Sequence, residues 1–180
     1  NHFSLTPFRC NEDESLVPMD KALILIAPEG REAEMIMRLA RVGYDNVLGY
    51  LHGGLKAWTK AKMPTDQIQR ITADVLESNY ADTKGQILDV RALSEYLAEH
   101  ILDVNSLPLD AISTRIKELP KATAKKPLII HCAGGYRSMV FASIIKASGH
   151  HHIMDVIGGF NAIKEMKGVP MSAYNCPSGS

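Results

Sequence analysis

"PLIIHCAGGYRSMVFASIIKASG", residues 127–149, carries the reading from which the fold follows. It opens on an apolar run of strand length, "PLIIHC", which ends at Cys132. A glycine-bearing turn comes next. Val140, Phe141, Ile144 and Ile145 then recur at helical spacing, and Gly149 suits the end of that helix. "HIMDVI" (152–157) reads as a second strand. Strand, helix, strand is a βαβ unit, which implies a parallel sheet.

The chain contains a half-copy of this unit. "KALILIAPEGREAEMIMRLARVG" (21–43) aligns with residues 127–149 at an offset of 106 without a gap. Ile24 meets Ile130, Ala27 meets Ala133, Arg31 meets Arg137 and Gly43 meets Gly149. After a one-residue gap, "HGGLKAW" (52–58) meets "IGGFNAI" (157–163), and the copies close on "AKMP" and "KGVP". Both apolar runs, "ALILIA" and "PLIIHC", are expected to form strands buried on both faces.

Only the second copy has an upstream half. "QIQRIT" reads as an edge strand, a helix is expected over 73–80, and "GQILDVR" reads as a strand. "ALSEYLAEH" reads as a helix capped by Ser94, and "VNSLPL" and "ISTRIKELPK" continue the alternation. Residues 67–172 thus make a complete α/β domain, residues 1–66 a partial module, and residues 173–180 a flexible tail. The partial module leaves a sheet edge and an apolar face uncovered. It is expected to pack on its neighbour, to pair with another copy of the chain as a homo-oligomer, or to have a partner segment upstream.

Lys and Arg number 20, as do Asp and Glu, so net charge gives no reason to expect nucleic acid or an anionic membrane as partner. No apolar stretch approaches the roughly 20 residues of a membrane-spanning helix, and the opening residues lack the pattern of a signal peptide. Cys10, Cys132 and Cys176 form neither a disulfide framework nor a zinc-binding spacing. The expected compartment is therefore reducing and cytoplasmic, with no metal and no organic cofactor.

A turn from a strand into a helix N-terminus gathers unpaired N–H groups, and the helix dipole adds partial positive charge. Glycines allow close approach, so an anion is the natural guest. Here a thiol sits in the turn and Arg137 stands beside it. Such surroundings favour a thiolate. From Ser113 to His150 seven Lys or Arg face one acidic residue, which also favours anions. Phosphatase-type loops place five residues between Cys and Arg. Cys132 and Arg137 are separated by four, a tighter ring suited to a sulfur atom, which disfavours a thiol phosphatase or arsenate reductase.

"HCAGGYRS" resembles the active-site loop CxxGxRS of the rhodanese family. "LDVRALSEYLAEHI" (88–101) resembles that family's upstream motif, and "IGGFNAIKEMKGVP" (157–170) its closing motif. One departure is Leu102-Asp103-Val104, where the family has proline-glycine-alanine. The resemblance implies a rhodanese-like fold, a five-stranded parallel sheet flanked by helices, preceded here by a partial second module. It implies a sulfurtransferase that takes a sulfane sulfur from a small anionic donor, thiosulfate or a persulfide, onto Cys132. An acceptor such as sulfite, a thiol or cyanide would remove it. In that reading Cys132 and Arg137 are catalytic, Ala133, Gly134, Gly135, Tyr136 and Ser138 bind substrate, and Asp89 and Arg91 brace the sheet. The first copy carries Ile26 where the second has Cys132, with Pro28 and Glu29 in place of glycines, so it is expected to be inactive. The order inactive then active resembles the C-terminal part of bacterial persulfide dioxygenase–rhodanese fusions, which would place a metallo-β-lactamase-fold domain upstream. The alternative is a non-catalytic sulfur carrier or interaction module.

Several residues read as structural. His131 is expected to be a satisfied core histidine facing away from the loop, His150–His152 a solvated turn, Trp58 packing, and Cys10 and Cys176 free thiols.

Overall fold

A computed structural model describes residues 17–175. The chain divides into two compact units with the boundary between Gln67 and Ile68. Cys10, Cys176 and most of the expected tail lie outside the described residues.

The smaller unit runs β1 (Leu23–Leu25), α1 (Glu32–Ala40), β2 (Val47–Tyr50) and α2 (Gly54–Lys60). β1 and β2 pair in parallel, as the βαβ pattern predicts. The expectation of double burial fails for β1. Ile24 is 55% exposed, and Leu48 on β2 is 69% exposed. The physical reason is the sheet itself, which has two strands among the described residues. A strand is covered on both faces when helices lie over a wider sheet, and α1 buries none of its residues completely.

The larger unit begins with β3 (Gln69–Ile71), α3 (Ala73–Ser78), α4 (Tyr80–Thr83), β4 (Ile87–Asp89), α5 (Leu93–Ala98) and β5 (Asn105–Ser106). It continues with α6 (Ile112–Arg115), β6 (Leu128–His131), α7 (Tyr136–Ala147), β7 (Ile153–Val156) and α8 (Gly159–Ile163). Its sheet has the order β3-β7-β6-β4-β5, and every pair is parallel. All residues of β4 and β6 are buried, as their near-continuous apolar sequences require. One side of the core joins Leu76, Ile87, Ile129, Phe160 and Ile163. Since alternate strand residues face opposite sides, His131 shares the face of Ile129, and Cys132 follows on the other.

Two local expectations change. The helix expected over 73–80 is two short helices meeting at Asn79, whose side-chain amide donates to the Val75 carbonyl at 2.8 Å. That bond competes with a continuous helix. Ser94 is not the cap of α5. The cap is an extended Ala92, two residues earlier, and Glu95 reaches back to accept the Ala92 N–H at 3.2 Å. At the departure from the family turn, Asp103 takes a positive φ of 58°. Aspartate tolerates that conformation better than most residues, so it can occupy the place of the expected glycine.

Candidate active site

The site is assembled from the C-terminal ends of β4, β6 and β7 and the N-terminus of α7, the usual place for ligands in parallel sheets. Cys132 immediately follows β6 and is only 1% exposed. The Gly135 N–H donates to its Sγ at 3.1 Å. Ala133 is partly buried, Gly134 and Tyr136 are exposed, and Gly135 and Ser138 are buried. The turn is pinned from behind by α8. Phe160 N–H donates to the Cys132 carbonyl at 2.6 Å, and Asn161 N–H to the Ala133 carbonyl at 3.0 Å. Gly159 makes this approach possible. Its φ is +56°, and a Cβ there would overlap the Cys132 carbonyl oxygen.

Arg137 does not stand free on the rim. It forms a two-pronged pair with Glu95 of α5, Nη1 to Oε2 at 2.5 Å and Nη2 to Oε1 at 2.9 Å. The bond from Arg137 is the main reason the Glu95 carboxyl is held below its ordinary range. The same bond raises the Arg137 guanidinium. Sequence reading left Glu95 unassigned because 42 residues separate the partners. The available signal was an acidic residue at the head of the helix after β4, close to an arginine that needs a counter-ion.

A second group lies beneath the sulfur. Ser138 Oγ is 2.6 Å from Asp155 Oδ1 and 3.5 Å from Cys132 Sγ, and both residues are fully buried with it. Arg70 Nε donates to the other Asp155 oxygen at 3.0 Å. Asp155 and Arg70 were also unassigned. Their signal was a lone carboxylate inside an otherwise apolar strand, which must find charged or hydrogen-bonding partners.

Asp89 and Arg91 stand behind the loop. Arg91 Nη2 donates to Asp89 Oδ2 at 2.7 Å and to the Glu99 carbonyl at 2.7 Å, while its guanidinium lies 3.8 Å from the centre of the Phe160 ring. The pair ties β4 to the helix start that holds the loop. His131 is fully buried, as expected, but it is not satisfied. Its Nε2 has no hydrogen-bond partner and lies 3.9 Å from Asp89 Oδ2. Burial, the largest influence, pushes its imidazole below the ordinary range, so it is neutral at pH 7. His151 and His152 are exposed, in keeping with a turn.

Residues 72–166 match the family described as "Rhodanese-like domain". The chain belongs to that family. YqhL of Bacillus subtilis, an uncharacterised protein, is 30% identical over 94 residues, 51% of this chain and 72% of YqhL. A protein of Allochromatium vinosum named as a sulfurtransferase is 28% identical over 96 residues, 53% of this chain and 87% of its own. The crystal structure of a rhodanese-related protein from Thermoplasma volcanium matches with a TM-score of 0.50 at 27% identity, covering 58% of this chain and 97% of that one. The rhodanese-like fold, with its five-stranded parallel sheet flanked by helices, is therefore that of residues 68–175. Among the described residues no helix is long and apolar enough to cross a membrane.

Proposed function

We propose that the chain is a sulfurtransferase in which Cys132 carries the sulfur. The observation that supports this most directly is a buried nucleophilic sulfur that already accepts an amide N–H, from Gly135, inside a rhodanese-like loop. The named activity of the Allochromatium vinosum relative points the same way. The Cys132 thiolate attacks the outer, sulfane sulfur of thiosulfate or of a small persulfide. The bond from that sulfur to the donor breaks, and sulfite or a thiolate leaves with the electron pair. Cys132 then bears a persulfide, whose outer sulfur is taken by sulfite, a thiol or cyanide, restoring the thiolate. The low exposure of Cys132 favours donors that present one projecting sulfur atom. An anionic donor competes with Glu95 for Arg137, so its binding includes a swap of carboxylate for substrate.

In this reading Cys132 and Arg137 touch the reacting sulfur, Ala133 to Tyr136 and Ser138 form its seat, and Asp89 with Arg91 keeps the seat in place. Residues 1–66 are an inactive partial module of the same kind. Its matching glycine turns and its parallel strand pair support that view. The whole fits the C-terminal part of a fusion whose upstream domain oxidises persulfides, and the open face of the partial module fits contact with such a domain or with a second copy. Steady-state transfer from thiosulfate to cyanide tests the function. The expected result is ping-pong kinetics, lost in Cys132→Ser with folding intact. Turnover retained in that variant would refute the assignment.

A further inference from the structure

Ser138 has one hydroxyl proton and two neighbours that could receive it, Asp155 Oδ1 at 2.6 Å and Cys132 Sγ at 3.5 Å. The shorter distance is that of a charge-assisted O–H···O⁻ bond. In the structure, then, the proton is directed to Asp155, and Ser138 offers Cys132 only a lone pair. That arrangement suits Cys132 as a thiol, whose S–H can donate to Oγ. It does not suit a thiolate, which needs a donor. We propose that Asp155 and Arg70 are positioning residues that set the charge state of Cys132 through the single hydroxyl proton of Ser138. The proposal deepens the sulfurtransferase reading and rests on it only in taking Cys132 as the nucleophile.

When the S–H bond breaks and its proton passes to solvent, the Ser138 hydroxyl turns from Asp155 to Sγ. Asp155 then loses one hydrogen bond but keeps Arg70 on its other oxygen. Without Arg70, a fully buried carboxylate would be left short of a partner, which is costly. Arg70 thus makes the turn of the hydroxyl feasible, while Asp155 opposes it by holding the proton. The other charges near Cys132 are Arg137 of α7, paired with Glu95 of α5, and the Asp89–Arg91 pair of the β4 end. His131 of β6 is neutral. None of these bonds to Ser138 Oγ, so the proton's choice lies between Asp155 and the sulfur.

Two variants should shift thiolate formation in opposite directions. Asp155→Asn can donate its amide to Ser138 Oγ and free the hydroxyl for the sulfur, so thiolate forms at lower pH. Arg70→Gln removes the positive partner and ties the proton to Asp155, so thiolate forms at higher pH. The measurement is ultraviolet thiolate absorbance against pH, with Cys132→Ser subtracted so that Cys10 and Cys176 cancel. A bond to a charged group predicts a change of about tenfold in thiolate at fixed pH for Asp155→Asn. Ser138→Ala should abolish that change when combined with it. Near-ultraviolet circular dichroism checks folding. If Asp155→Asn does not fold, Arg70→Gln carries the test, its side chain being 44% exposed. Unmoved midpoints, a rise in Asp155→Asn, or a shift that persists without Ser138 would overturn the proposal. Failure of Cys132 to load sulfur while these shifts occur would break the sulfurtransferase reading alone.

Discussion

The turn from Ile26 to Arg31 and the turn from Cys132 to Arg137 hold matching places, each leading from a parallel strand into a helix. Each is backed by a Gly-Gly helix start. A Cβ at Gly54 would lie 2.7 Å from the Ala27 carbonyl oxygen, and one at Gly159 would lie 2.8 Å from that of Ala133. Ala57 crowds Gly53 as Ala162 crowds Gly158. The backbone frame is therefore the same in both, and the difference lies in side chains. The first turn offers Ile26, Pro28 and Glu29, and its Arg31 pairs with exposed Glu34 in its own helix at 2.9 Å. The second offers Cys132 and amides free to approach it, and its Arg137 is gripped by a residue from a distant helix. A frame for closing a strand–helix turn is not in itself an active site. The thiol, the donor to it and a half-buried arginine make the distinction.

The largest effect should come from moving the nucleophile. Cys132→Ser should lower sulfur transfer by about three orders of magnitude or more, in line with loss of a covalent nucleophile. Adding Ile26→Cys should not restore it, because Pro28 has no N–H to donate and Glu29 opposes an anion. Transfer assays of the single and double variants decide this, and recovery in the double variant would show that the first turn can also seat a sulfur.

Burial provides the next contrast. Ile130 is fully buried, while its aligned partner Ile24 is 55% exposed. Ile130→Ala should cost about 2–5 kcal/mol and Ile24→Ala less than about 0.5 kcal/mol. Urea unfolding read by hydrogen exchange in each unit separates the two. Equal costs would mean that the open face of β1 is covered in solution.

The glycine pair gives a third. Gly159→Ala should destabilise the larger unit by about 1–3 kcal/mol and slow sulfur transfer, because the added methyl displaces the Cys132 carbonyl. Gly54→Ala should destabilise only the smaller unit and leave transfer unchanged. Thermal melts with parallel assays test both.

A smaller effect concerns pH. His131 aligns with Leu25, and burial depresses its imidazole. The unfolded chain therefore binds a proton that the folded one resists. Stability should fall as pH drops below the unfolded value of about 6.5, by about 1.4 kcal/mol per pH unit, until the depressed folded value is passed. His131→Leu should remove that slope in urea titrations, and an unchanged slope would place its origin elsewhere.

The order of strands and helices was legible because apolar runs and helical spacing are local. The thiol loop was legible because its residues are contiguous. Burial of β1 was misread, since "ALILIA" has the composition of a central strand but lacks the neighbours of one. Ser94 has capping chemistry, yet Glu95 set the start of α5 from one turn within. Glu95 and Arg137, like Arg70, Ser138 and Asp155, meet only after β3, β7, α5 and α7 have been brought together, so their pairing depends on tertiary structure. Even so, Asp155 in "IMDVI" announced a need for partners, as any carboxylate in a buried strand does.

Cys132, and not its matching position Ile26, is the proposed carrier of sulfur. Intact and fragment mass spectrometry after incubation with thiosulfate, and separately with glutathione persulfide, tests it most directly. The expected result is one added sulfur, localised to Cys132 and removed by sulfite or glutathione. A Cys132 that stays unmodified with both donors, or sulfur found only on Cys10 or Cys176, would contradict it.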